Sequence, residues 1–385
     1  MPQSYGKLSV GKGAPRSKSM FPGGRIVINY YSLGPDKRIN EVVFAGSHDA
    51  GITSGKSNIQ TQSVDIMLQA AAGVRIFDLR IAAAKAGRDA HGNKAVQMRA
   101  FHADGMLKKD EAKSRYMPEF NRTETVVRTK LRGGDFGMSL ERMLEDAAQF
   151  VRSDIGSNEF LLLKFDKSTN WPLIAEACVT LLGNTLFKEG GNLNNRTLRE
   201  LSGRVIVLFT SDGLGEVRRD YPRGSGIFGI KNVAAEGESY VDDYNGLQYF
   251  GKGGTSPFNP HNKIAQNEKK QAKLMRAGGH SNPDVMGMMY WTTTGLNESI
   301  YKRNETMWTR PNQAKLAALW SNGFGEAVKS GVPDSLDLRS ASSGGVIKRF
   351  MPNFIMIDFA DDTKCKTIFG LNQRAATELV GLDEI

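Results

Sequence analysis

Two of the five histidines in this 385-residue chain stand where apolar runs stop. His48, with Asp49 beside it, follows "EVVFAGS", and His102 follows "VQMRAF". A short apolar run broken by Gly-Ser-His-Asp-Ala-Gly reads as a buried strand ending in a loop. Other polar groups occupy the same kind of position. Asp78 and Arg80 end "VRIFDLR", Asp166 and Lys167 end "FLLLKFDK", and Asp358 ends "FIMIDF". Two imidazoles near their ordinary pKa can act as base and acid at neutral pH. An arginine offers a permanently charged fork suited to phosphate oxygens. A carboxylate beside each histidine fixes its tautomer and steadies the imidazolium. A base, an acid and a phosphate clamp without a metal cage suit cleavage of a phosphodiester by a neighbouring hydroxyl. Any one of these residues alone has a plainer reading: a loop histidine, or an Asp78–Arg80 ion pair. The argument rests on the set. His91, His261 and His280 lie in polar loops and are expected to do no chemistry.

For such residues to meet, the elements carrying them must converge. "TQSVDIMLQAAAG" places Val64, Met67, Leu68 and Ala71 on one helical face, and "MSLERMLEDAAQFVRS" places Leu140, Met143, Leu144, Ala147 and Phe150 inward. "EVVFAG", "VRIFDLR", "AVQMRAFH", "EFLLLKFD", "GRVIVLFT", "PDVMGMMYWTT" and "PNFIMIDFA" read as buried strands, and "TRPNQAKLAALWSNGFGEAV" as a late helix with Pro311 near its start. Near-continuous apolar strands between amphipathic helices imply a parallel sheet covered on both faces. Seven or eight of them fit an α/β fold, a distorted (β/α)8 barrel of the TIM type, in which strand C-termini share one face. The Gly-rich, irregular stretch from Asp212 to His280 is expected to contribute long loops over one face of the barrel. Residues 1–40, rich in Gly, Ser, Pro and Lys, read as a basic N-terminal arm with one strand-like patch from Arg25 to Leu33, and residues 41–385 as a single catalytic barrel.

Composition bounds the rest. A hydrophobic share of 40% and a charged share of 24% are those of a soluble globular protein. Cys178 and Cys365 suit no metal spacing and read as buried thiols. No stretch has the roughly 20 apolar residues that span a bilayer, and the N-terminus lacks the apolar core of a secretory signal. The net charge of +10 is compatible with nucleic acid, an anionic membrane or simple solubility. No basic-aromatic platform for single strands is present, so no stable nucleic-acid partner is expected.

The motifs resemble the phosphatidylinositol-specific phospholipase C family, in particular its bacterial single-domain, metal-independent members. The signatures are "AGSHDAGIT", the Thr-Gln opening "TQSVDIMLQ" with Gln69 ahead of Gly73, "GVRIFDLR", and the His of "FHADG". The resemblance is strong from about Asn40 to His102, patchy to Val207 and thin afterwards except at "FIMIDF". It implies a distorted (β/α)8 barrel that forms inositol 1,2-cyclic phosphate and diacylglycerol from a phospholipid at an anionic membrane surface. It also implies roles. His48 would be the base, His102 the acid, Arg80 the stabiliser of phosphoryl charge, Asp49 their coupling carboxylate and Asp358 the group orienting His48. Asp78 would frame the network. Lys164, Asp166 or Lys167 would contact the head group, and "YVDDYNG" would supply Asp242 and Tyr244. Calcium-dependent members place an acid where Arg80 stands, and a guanidinium there repels an ion needing six to eight oxygens, so no metal and no cofactor are expected. Departures concern the head group: Ala103 replaces a usual Gly after the acid, and Thr210 replaces an arginine. The same chemistry on another phosphodiester with a vicinal hydroxyl, RNA included, and a non-catalytic binding barrel are the alternatives.

Overall fold

The computed structural model describes residues 28–89, 91–103, 107–131, 133–233, 245–252, 267, 269–271, 285–292, 299–318 and 352–380. In chain order it begins with β1 (Phe44–Ser47), α1 (Ile66–Ala72) and β2 (Val74–Leu79). An excursion of strands follows: β3 (Ile81–Arg88), β4 (Lys94–His102), β5 (Leu107–Lys109), β6 (Lys113–Met117), β7 (Arg122–Val126), β8 (Thr129–Leu131) and β9 (Asp135–Ser139). Then come α2 (Leu140–Arg152), β10 (Phe160–Phe165), α3 (Trp171–Leu182), α4 (Leu198–Leu201), β11 (Arg204–Phe209), α5 (Ser211–Val217) and β12 (Ile227–Asn232). The last elements are β13 (Gly246–Lys252), β14 (Met286–Tyr290), α6 (Ile300–Met307), β15 (Pro352–Ile357) and α7 (Asp362–Val380).

Eight of these strands close into a parallel barrel in the order β1-β15-β14-β13-β12-β11-β10-β2. The expected α/β barrel is thus present, with two corrections. The stretch from Asp212 to His280 is not all loop: it supplies β12 and β13, both paired in the barrel wall. The strand carrying His102, β4, is not a barrel strand. It pairs antiparallel with β3 and β9 in a separate sheet inserted between β2 and β10. A further expectation fails at the N-terminus. Within the described part of the Arg25–Leu33 patch no strand forms, and Tyr31–Leu33 is a 3-10 turn.

The wall follows from composition. β2, β10 and β15 are buried at every position, as strands covered on both faces must be. Helix α1 starts where the Asp65 side chain accepts from Leu68 N (3.0 Å) and stops at Gly73, whose φ of 119° is open to glycine. Helix α2 is capped by Ser139 and buries Leu140, Met143, Leu144, Ala147 and Phe150, the face expected from spacing. Each of the larger side chains contributes about 1.5–3 kcal/mol by leaving water. Both cysteines are free and buried. Among the described residues no helix is long and apolar enough to cross a membrane.

The floor of the barrel is closed by chain from before β1. Arg75, on β2 and 1% exposed, pairs through Nε with Glu159 Oε2 at 2.6 Å. Its other nitrogens donate to the carbonyls of Ala70 and Val74 (2.8 Å each) and of Ile28 (3.2 Å). Glu159 Oε1 accepts from Tyr31 N (3.1 Å), and Ala45 N donates to the Tyr30 hydroxyl (3.1 Å). A bidirectional clamp thus fastens residues 28–31 to β1 and β2. Removing one member of a buried pair leaves an uncompensated charge. Glu159→Ala should therefore lose about 3–5 kcal/mol in urea unfolding, and adding Arg75→Met should recover part of it. A cost below about 1 kcal/mol would place this pair with ordinary surface bridges.

Candidate active site

Register along the barrel explains which polar side chains meet. Side chains two apart on a strand share a face. Gly46 lies beside Met356 and Ile76 across its two neighbours. Its missing side chain matters, because a Cβ there would meet Met356 Sδ at 2.3 Å and Ile76 Cγ2 at 2.7 Å. One pleat further along, the same inward rows deliver His48, Asp78 and Asp358. Asp78 lies directly beside Lys164 in register. The excursion then returns through β4 to set His102 against the same cluster. Each inward run was legible, but its last member is polar because the barrel ends there.

At the centre sits Asp49, 2% exposed, on a turn where it takes a left-handed φ of 44°. Its Oδ2 accepts from His102 Nδ1 at 2.8 Å and lies 3.6 Å from His48 Nε2. Its Oδ1 lies 3.0 Å from Arg80 Nε. Both imidazoles and the guanidinium therefore converge on one carboxylate. His48 Nδ1 meets Asp358 Oδ1 at 3.0 Å. A carboxylate only accepts, so Nδ1 of each histidine carries a proton directed at its carboxylate. Among the described residues nothing accepts a hydrogen bond from the terminal nitrogens of Arg80, whose side chain is 21% exposed.

A second ion pair lies beneath. Lys164 Nζ is 2.7 Å from Asp78 Oδ1 and 3.6 Å from Asp166 Oδ2, with Lys164 and Asp78 each 2% exposed. Tyr290, ending β14, reaches Asp78 Oδ2 at 3.5 Å and turns its ring edgewise to His48, centroids 5.8 Å apart. Of the lysines proposed for the head group, Lys164 enters this network. Lys167 is exposed on a left-handed turn and has no ion pair with the site among the described residues. Asp242 and Tyr244 lie outside the described residues.

The charges set the protonation states. Burial opposes ionisation of Asp49, but Arg80, His48 and His102 outweigh it and hold the carboxyl far below the usual range. Burial likewise opposes charge on Asp78, and Lys164 and Arg80 overcome it. His48 departs from expectation. Burial alone would lower its pKa, yet Asp49 and Asp358 together raise it to about 9. The reading of two histidines near their ordinary pKa is corrected for His48, which is a cation at neutral pH in the free site. Its two carboxylate neighbours are the reason.

Donor atoms of His48, Asp49 and Asp78 lie within 4.8 Å of one another, a set that could hold a metal ion. The surroundings do not favour one. Asp49 faces Arg80 and Asp78 faces Lys164, so both carboxylates already have fixed cations, and His48 is itself raised toward the charged form. A hard divalent ion would add charge among three cations and find too few oxygens.

Sequence reasoning missed Tyr290 and Gln62 as site residues. Tyr290, expected as part of the buried strand "PDVMGMMYWTT", is a wall of the cluster, and Trp291 beside it is fully buried core. The position of Tyr290 as the last residue of a strand was the available signal.

No family model and no curated protein matches this chain. Among solved structures it is similar to the phosphatidylinositol-specific phospholipase C from Listeria monocytogenes, at 14% identity over 88% of this chain and 96% of that chain, with a TM-score of 0.48. It is also similar to a mutant of the phosphatidylinositol-specific phospholipase C from Staphylococcus aureus, at 15% identity over 88% and 95%, with a TM-score of 0.46. A calcium-dependent phosphoinositol-specific phospholipase C from Pseudomonas sp. gives 15% identity over 57% and 79%, with a TM-score of 0.37. The barrel described above is read from the strand pairing of this chain.

Titration of His48 by NMR is expected to show a midpoint near 9. Asp358→Asn, which removes one of the carboxylates holding that proton, should move the midpoint down toward the ordinary imidazole value of about 6.5. The folded value is raised, so the protonated ring adds stability that is complete below about pH 6.5 and is lost as pH climbs through 9. The stability difference between wild type and Asp358→Asn should shrink over that window. A wild-type midpoint at or below about 6.5 would refute the assignment.

Proposed function

We propose that this chain is a phosphodiester-cleaving lyase of the phosphatidylinositol-specific phospholipase C type. It would convert a phosphatidylinositol-like lipid into inositol 1,2-cyclic phosphate and diacylglycerol. The observation that supports this best is the single carboxylate of Asp49 shared by His48, His102 and Arg80.

In this reading, His48 Nε2 takes the proton from the hydroxyl next to the phosphate. The freed oxygen attacks phosphorus, and the bond from phosphorus to the glycerol oxygen breaks. His102 Nε2 gives its proton to that departing oxygen, while the open end of Arg80 meets the phosphoryl charge. Asp358 accepts from His48 Nδ1, so that loss of the other ring proton leaves Nε2 as the base. Asp49 accepts from Nδ1 of a His102 that also carries a proton on Nε2, the one it gives away. Lys164, Asp78 and Tyr290 form the floor on which the head group rests. Because His48 is held protonated in the free site, the competent fraction grows with pH, and kcat/KM should rise between pH 7 and about 9.

Metal independence is part of the proposal. Arg80 supplies positive charge at the phosphate, in a site whose carboxylates are already paired. A peripheral contact with an anionic membrane is also part of it, and charge distribution supports it. Residues 81–139, the excursion that brings His102 to the mouth, hold twelve Lys and Arg against seven Asp and Glu. Half of the net +10 is therefore carried by the segment that also carries His102, a balance that would draw in a negative surface.

A head-group panel with purified protein in excess chelator tests the whole reading. Phosphatidylinositol vesicles should release cyclic phosphate at a rate unaffected by chelator, and His48→Ala should lose at least about 10²-fold. Release from RNA alone, with a steep salt dependence, would shift the substrate class while keeping the chemistry. Turnover of neither would overturn the catalytic reading. Arg80→Asp should lose activity and regain part of it with added calcium. Unchanged activity in that variant would remove Arg80 from the phosphate's environment.

A further inference from the structure

Thr61 and Gln62, the Thr-Gln of the sequence motif, are fully buried and meet His48 and Asp49 at their backbone carbonyls. Their side chains and backbone hold the two turns from which His48 and Asp358 project. Gln62 Nε2 donates to the carbonyl of His48 (2.9 Å) and to that of Ile357 (3.2 Å), and its Oε1 accepts from Ala360 N (2.9 Å). The amide thus spends both hydrogens and its oxygen joining the turn after β1 to the turn after β15. Thr61 adds two links: its hydroxyl donates to the Asp49 carbonyl (2.8 Å), and its own carbonyl accepts from Phe359 N (2.7 Å).

Both turns need such links. Asp49 and Phe359, each immediately after one of the paired residues, take left-handed φ values of 44° and 48°. Non-glycine residues hold that conformation only where the surroundings impose it. The β1–β15 ladder itself ends at Ser47 and Ile357, with one further bond from His48 N to the Ile357 carbonyl at 3.0 Å. Beyond that, the distance between His48 and Asp358 depends on what ties the turns. Resting on the reading that this pair is catalytic, we propose that Gln62 is a positioning residue that sets the His48–Asp358 geometry by locking the two turns to each other.

The same seam carries a natural comparison at its other end. Asn353 is also a buried amide, donating to the carbonyls of Asn40 (2.8 Å) and Val42 (3.3 Å) and accepting from Gly287 N (2.9 Å). It makes a matching set of bonds on the floor of the barrel, a strand's length from the histidines. A variant there removes similar bonds without touching the turns.

Gln62→Met keeps the volume and removes all three bonds. The readout independent of substrate is the low-field proton on His48 Nδ1, assigned by its loss in Asp358→Asn. The groups facing that ring are Asp49, Arg80, Asp78, Tyr290 and Asp358, and none of them is changed. In Gln62→Met the signal should shift upfield or vanish, with kcat falling about 10-fold or more and KM staying within about twofold. Asn353→Leu, at equal or greater loss of stability, should keep both the signal and kcat. A Gln62→Met protein with wild-type signal and kcat would overturn the proposal, as would an Asn353→Leu protein that loses both. If Gln62→Met does not fold, Gln62→Asn, which keeps the amide but is one methylene too short to span both turns, carries the same readings in the same directions. Should wild type turn over no phosphodiester, the functional reading fails, while the proton signal still decides whether Gln62 sets the pair.

Discussion

A buried carboxylate that answers to three cations at once is the constraint on which the candidate site depends. Asp49 is almost wholly out of water, and a lone carboxylate in that place would give up its charge. It keeps the charge because Arg80, His102 and His48 surround it. The dependence runs both ways: His48 is charged because Asp49 and Asp358 are. Such a cluster is stable as a whole and costly in any part, which explains the number of backbone contacts invested in the turn after β1. Ser47 and Ala50 are held by Gln69, His48 by Gln62 and Asp49 by Thr61. Four consecutive residues are gripped from one neighbouring segment.

Much of this was legible in the sequence, for a physical reason. Strands buried on both faces must be mostly apolar, so β1, β2, β10, β11, β14 and β15 announced themselves as runs, and the polar groups at the ends of several of them marked the mouth. What failed to show was the part of the wall that breaks this rule. β12 and β13, "IFGIKN" and "GLQYFGK", are interrupted by glycines and lysines and lie in a Gly-rich region. The antiparallel sheet was missed differently. β4 looked like any other buried strand, and nothing in "AVQMRAFH" says that its neighbours run the other way.

The candidate residues divide along the same line. His48, Asp49, Asp78, Arg80, His102 and Asp358 were found by type and position, Lys164 through the family resemblance, and they meet. Gln62 and Tyr290 were not, because their parts depend on partners distant in sequence. Gln62 bonds across 298 positions to Ala360, and Tyr290 across 212 to Asp78. A neutral side chain shows its purpose only once those partners are in place. The shift of His48 belongs to the same class, since it arises from a carboxylate 310 positions away.

The inserted sheet has a consequence for how the molecule comes to be. β2 and β10 are neighbours in the barrel, yet the whole excursion from β3 to β9, with α2, lies between them. Sealing that seam means closing a long loop, and such contacts form slowly. His102 travels on the loop, whereas His48, Arg80 and Asp358 belong to the wall or its turns. A nascent barrel whose excursion has yet to dock would hold His48 and Arg80 but lack His102. Under the proposed roles the set would be complete only once both the excursion and β15, which brings Asp358 across 310 positions, have docked, and the half-made protein would be inert toward whatever it touches.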